Sequence, residues 1–129
     1  MVTKKKLRVL IVEDDAFLAG IYTTKFSLEG FDVLSAGDGL AGLKVARKEL
    51  PNIILLDVLM PKMDGFEVLD ELKKDDKTRN IPVVILTNLG QKEDGQRGLK
   101  GGAVDYLIKA HFIPSDTVAK VRKILAHVS

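Results

Sequence analysis

The sequence predicts an α/β layer sandwich with a mostly parallel sheet. Three observations lead there. Strand-like apolar segments alternate with segments whose apolar residues recur at helical spacing, in five successive units. Leu7–Val12, Ile53–Leu56 and Val83–Leu86 are apolar almost throughout, as strands covered on both faces are. The chain has 129 residues and is 46% hydrophobic, enough for one domain with one well-filled core.

The elements follow in order. Leu7–Val12 is the first strand, and Asp15 reads as the cap of the helix after it. That helix shows Phe17, Ile21 and Leu28, with Leu18, Tyr22 and Phe26, at helical spacing. Phe31–Ser35 is less uniformly apolar and is expected at a sheet edge. Leu43, Ala46 and Leu50 mark a second helix, ended by Pro51; Ile53–Leu56 is the third strand. Phe66, Leu69 and Leu72 mark the third helix and Val83–Leu86 the fourth strand. Between Leu89 and Ala103 stand Gly90, Gly95, Gly98, Gly101 and Gly102. A glycine inside a helix costs about 1 kcal/mol relative to alanine. With Leu99 nearly its only interior apolar anchor, a helix there is expected to be short and weakly held. Val104–Ile108 is the fifth strand, at the other edge. Val118, Val121, Leu125 and Val128 mark the last helix, after Pro114 and the candidate cap Ser115.

Composition excludes several classes of function. The absence of cysteine rules out disulfides, thiol catalysis and thiolate metal sites. Two histidines, His111 and His127, cannot build a multi-histidine zinc site. The net charge of +2, spread evenly, predicts no direct nucleic-acid contact. No apolar run approaches the ~18 residues that span a membrane. Residues 1–6 form a basic tail that leads into Leu7–Val12 as a signal peptide would, but Glu13, Asp14 and Asp15 cut the apolar segment short. The expectation is a cytoplasmic domain without membrane contact.

Chemistry concentrates at the strand ends. Glu13, Asp14 and Asp15 follow the first strand, Asp57 the third, Thr87 the fourth and Lys109 the fifth. In open α/β sheets, ligands bind beyond the carboxyl ends of the strands. Clustered carboxylates suit a hard cation such as Mg²⁺. A carboxylate can also accept a phosphoryl group, a transfer that needs charge neutralisation more than acid–base work. Asp57, the single acid ending a buried strand, is the natural nucleophile. Alone, each of these residues reads more often as a cap or surface group than as a functional one. Together, at matching strand ends, they read as a site.

Val12-Glu13-Asp14-Asp15, Leu56-Asp57-Val58-Leu59-Met60-Pro61-Lys62-Met63-Asp64-Gly65, Leu86-Thr87 and Asp105-Tyr106-Leu107-Ile108-Lys109 resemble the receiver domain of bacterial two-component response regulators. The likeness is to the chemotaxis-regulator type, apparently stand-alone, and covers residues 7–129. It implies a flavodoxin-like (βα)5 three-layer sandwich with a five-stranded parallel sheet in order 2-1-3-4-5. It implies that Asp57 accepts phosphate from the phosphohistidine of a sensor histidine kinase or histidine phosphotransfer protein. Glu13, Asp14, Asp57 and the Leu59 backbone carbonyl would hold Mg²⁺. Thr87 and Lys109 would bind the phosphoryl oxygens, and Tyr106 would follow Thr87 as the aromatic switch. Pro61 and Gly65 would shape the loop after Asp57. A downstream protein would read the face of helix four, strand five and helix five, a face also compatible with weak homodimerisation. The glycine-rich segment falls there and is expected to be a low-stability element that phosphorylation biases. The domain would be a phosphoacceptor, catalysing at most its own phosphorylation and dephosphorylation.

The sequence departs from the family at three points. Ala110 stands where the family usually has proline, so a trans bond is expected before it. His111 beside it reads as a solvated loop residue. Asn88 follows Thr87 where the family commonly has a small residue. Leu59, two past Asp57, has no polar group to orient water, which predicts slow self-dephosphorylation and argues against a phosphatase that needs an acid there. Two alternatives stand beside this reading. One is an interaction module that keeps the fold without being phosphorylated. The other is a dinucleotide site at Gly37-Asp38-Gly39-Leu40-Ala41-Gly42, a G-x-G-x-x-G string with Asp57 about 20 residues on.

Overall fold

A computed structural model describes residues 6–60, 62–87, 92–109 and 113–128. The expectations attached to most of the basic tail, Pro61, Asn88, Gly90, Ala110 and His111 lie outside the described residues. The elements are β1 (Arg8–Val12), α1 (Ala16–Leu28), β2 (Asp32–Ala36), α2 (Gly39–Glu49), β3 (Ile53–Asp57), α3 (Gly65–Lys74), β4 (Val83–Thr87), α4 (Lys92–Lys100), β5 (Asp105–Ile108) and α5 (Pro114–Val128).

All strand pairings are parallel, in the order β2-β1-β3-β4-β5. This is the flavodoxin-like arrangement. The strands expected at the edges, β2 and β5, are there, and both are only partly covered. β1, β3 and β4 are buried along almost their whole length. Side chains alternate across the pleat. Val9, Ile11, Ile53, Leu55, Val84 and Leu86 meet Tyr22, Phe26, Val118 and Val121 of α1 and α5. Leu10, Val12, Ile54, Leu56 and Ile85 meet Leu43, Ala46, Val68, Leu69 and Leu72 of α2 and α3 on the other face. Each fully buried Leu or Ile contributes about 1.5–3 kcal/mol, and this two-sided burial keeps the three central strand ends in register.

The structure corrects four expectations. Only one of the two stripes of α1 is inward: Tyr22 and Phe26 are buried, whereas Phe17 and Leu28 are 78% and 77% exposed. Leu50 is not a core residue of α2 but its C-cap, in the left-handed region at φ 47° and half exposed. Ser115 does not cap α5, because the helix already starts at Pro114, whose fixed φ suits a first helical position. In α4 the anchor is not Leu99, which is exposed, but the glycines themselves. Gly95 and Gly98 are buried, and a Cβ on Gly98 would stand 2.6 Å from Ile85 Cγ1. The missing side chains let a short helix lie close on the sheet, an arrangement that helix propensity does not register.

Candidate functional site

Parallel register brings the predicted residues to one edge of the sheet. Asp57, the last residue of β3, pairs with Leu86, and Thr87, the last of β4, pairs with Ile108. Glu13 and Asp14 follow β1, and Lys109 follows β5. Asp15 caps α1 as expected, accepting the Phe17 and Leu18 N–H groups.

Glu13 and Asp57 are 2% and 3% exposed. Two carboxylates buried side by side are costly unless a cation or hydrogen-bond donors compensate them. Lys109 compensates both, with its Nζ 2.6 Å from Glu13 Oε1 and 3.0 Å from Asp57 Oδ2. The other Asp57 oxygen accepts the Leu59 N–H at 3.2 Å, and Glu13 Oε2 accepts the Asp15 N–H at 3.2 Å. Burial pushes Glu13 up to about 7, with neighbouring Asp57 adding to the rise and Lys109 opposing it. Burial pulls Lys109 down, but its contacts with Glu13 and Asp57 outweigh this and hold it above its ordinary value. Lys109 is therefore the permanent positive charge of the site.

One ammonium faces three acids. Glu13, Asp14 and Asp57 each offer an oxygen within 4.8 Å of the others, with Asp14 exposed at the mouth. This all-oxygen donor set fits a hard divalent cation of the Mg²⁺ type.

The surrounding backbone fits the same purpose. Gly65 opens α3 under an Asp64 capping box, and a Cβ on it would overlap the Asp57 carbonyl. Its role is thus close approach to the Asp57 backbone as well as a turn. Thr87 is 1% exposed and donates its hydroxyl to the Leu107 carbonyl at 3.3 Å. Tyr106, half-buried on β5, packs against α4, where a Cβ on Gly95 would stand 2.5 Å from its Cδ2. Sequence reasoning assigned Tyr22 only to a helix stripe. In the structure it is buried, and its hydroxyl is held above its ordinary pKa by burial and then by the charges of Glu13 and Asp57. A tyrosine in the helix that directly follows the acids was the available signal.

The glycine string of α2 serves packing. Gly39 and Gly42 are buried; a Cβ on Gly42 would stand 2.7 Å from Val12 Cγ1, and one on Gly39 would overlap the Met63 carbonyl.

Residues 9–122 match the family described as response regulator receiver domain. The chain belongs to that family. Receiver domains are signalling domains of two-component systems, and the family generally binds Mg²⁺ through an acidic pocket. The chain is 40% identical over 118 residues to the DNA-binding dual master transcriptional regulator RpaA of Synechocystis, covering 92% of this chain and 48% of that protein. It is 38% identical over 124 residues to the probable transcriptional regulator ycf27 of Porphyridium aerugineum, covering 96% and 50%. It thus spans about half the length of these curated relatives. A putative response regulator from Chloroflexus aurantiacus has a matching fold, with TM-score 0.89 at 33% identity, covering 95% of this chain and 99% of that one.

Proposed function

We propose that Asp57 accepts a phosphoryl group from a phosphohistidine and that the α4–β5–α5 face reports the change to a protein partner. The observation that carries this reading is the buried Asp57 carboxylate 3.0 Å from Lys109, beside Glu13 and Asp14. An Asp57 oxygen forms the new P–O bond as the P–N bond breaks. The electron pair leaves with the donor imidazole, which takes a proton from solvent.

Glu13, Asp14, Asp57 and the Leu59 carbonyl would hold Mg²⁺, which supplies neutralising charge to the transferring oxygens. Lys109 supplies the fixed positive charge on the protein side. Thr87 turns its hydroxyl from the Leu107 carbonyl to a phosphoryl oxygen. One hydrogen bond replaces another, so the move costs little. Tyr106 then shifts into the space Thr87 leaves, withdrawing its ring from Gly95 and freeing α4. Leu59, half exposed and without a polar group, leaves an attacking water unoriented, which keeps the phosphoryl group long-lived.

Phe17 and Leu28, exposed on α1, line one groove with the half-buried Ile21 and with Pro114, on the helix that directly follows the acids of β1. We assign it to the helices of the phosphodonor, a sensor kinase or histidine phosphotransfer protein in the cytoplasm. The expectation of no nucleic-acid partner is not carried forward, because RpaA is a DNA-binding regulator of which the chain covers about half.

Incubation with acetyl phosphate and Mg²⁺, followed by intact mass measurement, tests the reading. One added phosphoryl group is expected, and none in Asp57→Asn or without Mg²⁺. Failure of the protein to take up either the phosphoryl group or beryllofluoride would instead favour an interaction module that is not phosphorylated.

A further inference from the structure

The segment between β3 and α3 carries the Leu59 N–H, which donates to Asp57 Oδ1 at 3.2 Å, and the Leu59 carbonyl assigned above to the cation. The turn between β2 and α2 braces its far half. Lys62 Nζ lies 3.6 Å from Asp38 Oδ2, while the other oxygen of Asp38 caps α2 by accepting the Ala41 N–H at 2.8 Å. Next to it, a Cβ on Gly39 would overlap the Met63 carbonyl oxygen and stand 2.7 Å from its carbon. These are backbone atoms, so no side-chain rotation makes room. Only glycine at position 39 lets the two loops meet as they do.

Lys62 itself has φ +71°. A non-glycine residue in the left-handed region is strained and persists where its surroundings over-determine it. Here the Asp38 carboxylate faces its ammonium, while Met60 and Met63 pack on the core on either side of it. The middle glycine of the G-x-G-x-x-G string therefore faces a loop of the site.

We propose that the Asp38-Gly39 turn buttresses the loop after Asp57, making Gly39 and Asp38 positioning residues for the cation and phosphoryl chemistry. The proposal rests on the assignment of that chemistry to Glu13, Asp14 and Asp57. Its content is that the Leu59 carbonyl, which has no side chain of its own to fix it, takes its place from a different βα unit. Partners behind a ligand typically alter metal affinity by 10–100-fold.

The test is calorimetric titration of Mg²⁺ into the wild-type chain, Gly39→Ala, Asp38→Ser and Ala46→Gly, with thermal stability measured for each. Asp38→Ser keeps a capping oxygen but loses the charge facing Lys62. Ala46→Gly destabilises α2 from its core side, away from the loop. Gly39→Ala is expected to weaken Mg²⁺ binding about tenfold or more. Asp38→Ser should weaken it less, and Ala46→Gly should leave it unchanged at a comparable loss of stability. Unchanged affinity in a folded Gly39→Ala, or equal weakening in Ala46→Gly, overturns the proposal. If Gly39→Ala does not fold, unchanged affinity in Asp38→Ser overturns it. No Mg²⁺ binding by the wild-type chain would instead overturn the site assignment, and the proposal with it.

Discussion

Gly95 of α4 faces the ring of Tyr106 so closely that a methyl group on it would stand 2.5 Å from Cδ2 and 2.6 Å from Cγ. Gly95→Ala should gain helix propensity, about 1 kcal/mol, yet lose more by forcing the ring or the helix outward, about 1–3 kcal/mol. The expected net result in urea unfolding is destabilisation. In a Tyr106→Ala background the clash is gone, and Gly95→Ala should become stabilising. Equal effects in both backgrounds would show that the ring and α4 are not coupled.

Removing the ammonium of Lys109 should separate binding from chemistry. Its charge lies against Glu13 and Asp57 and competes there with any cation. Lys109→Met is expected to bind Mg²⁺ more tightly and to accept a phosphoryl group more slowly. Without Mg²⁺ it should be destabilised by roughly 3–5 kcal/mol at most, the cost of breaking a buried ion pair, reduced because Glu13 can take up a proton. Calorimetry and phosphorylation rates with acetyl phosphate would check both arms.

How much of this was legible in the sequence depended on the kind of signal. Asp57, Thr87 and Lys109 stood out because each is a polar group ending an apolar run, and parallel register then brings their strands together. The inward face of α1 was not legible, because Phe17 and Tyr22 lie on stripes of similar spacing and only the sheet decides which is covered. The packing role of the glycines was not legible either. In a sequence, glycine signals weak helix or phosphate loop; at Gly95, Gly98, Gly39 and Gly42 it allows a helix to approach another element. That Lys109 pairs with Glu13 as well as Asp57 is a tertiary fact that no spacing carries.

Tyr22 gives the fold an alkaline limit. Burial, with Glu13 and Asp57 adding to it, keeps its hydroxyl protonated above the ordinary value of 10.0. The unfolded chain releases that proton near the ordinary value, so above it the folded state holds more protons. The stability Tyr22 contributes is complete below pH 10 and is lost as pH rises toward the folded value. The slope from this one group reaches at most about 1.4 kcal/mol per pH unit. Chemical denaturation of wild-type chain and Tyr22→Phe between pH 9 and 11 should show curves that diverge only above about pH 10.

Leu59 should set the lifetime of the phosphorylated form. Its side chain is half exposed beside Asp57 and offers water no hydrogen bond. Leu59→Asn supplies one, and the expected outcome is faster loss of the phosphoryl group, followed by intact mass against time. An unchanged lifetime would place the control of hydrolysis elsewhere.

Asp57, rather than another acid of the cluster, is the proposed acceptor. The most direct measurement is borohydride reduction of the chain after treatment with acetyl phosphate and Mg²⁺, followed by peptide mass spectrometry. The reagent converts a phosphorylated carboxyl group to an alcohol and leaves free carboxylates intact. The alcohol is expected at position 57, with Glu13 and Asp14 unmodified. An alcohol at position 13 or 14 with Asp57 intact would contradict this assignment.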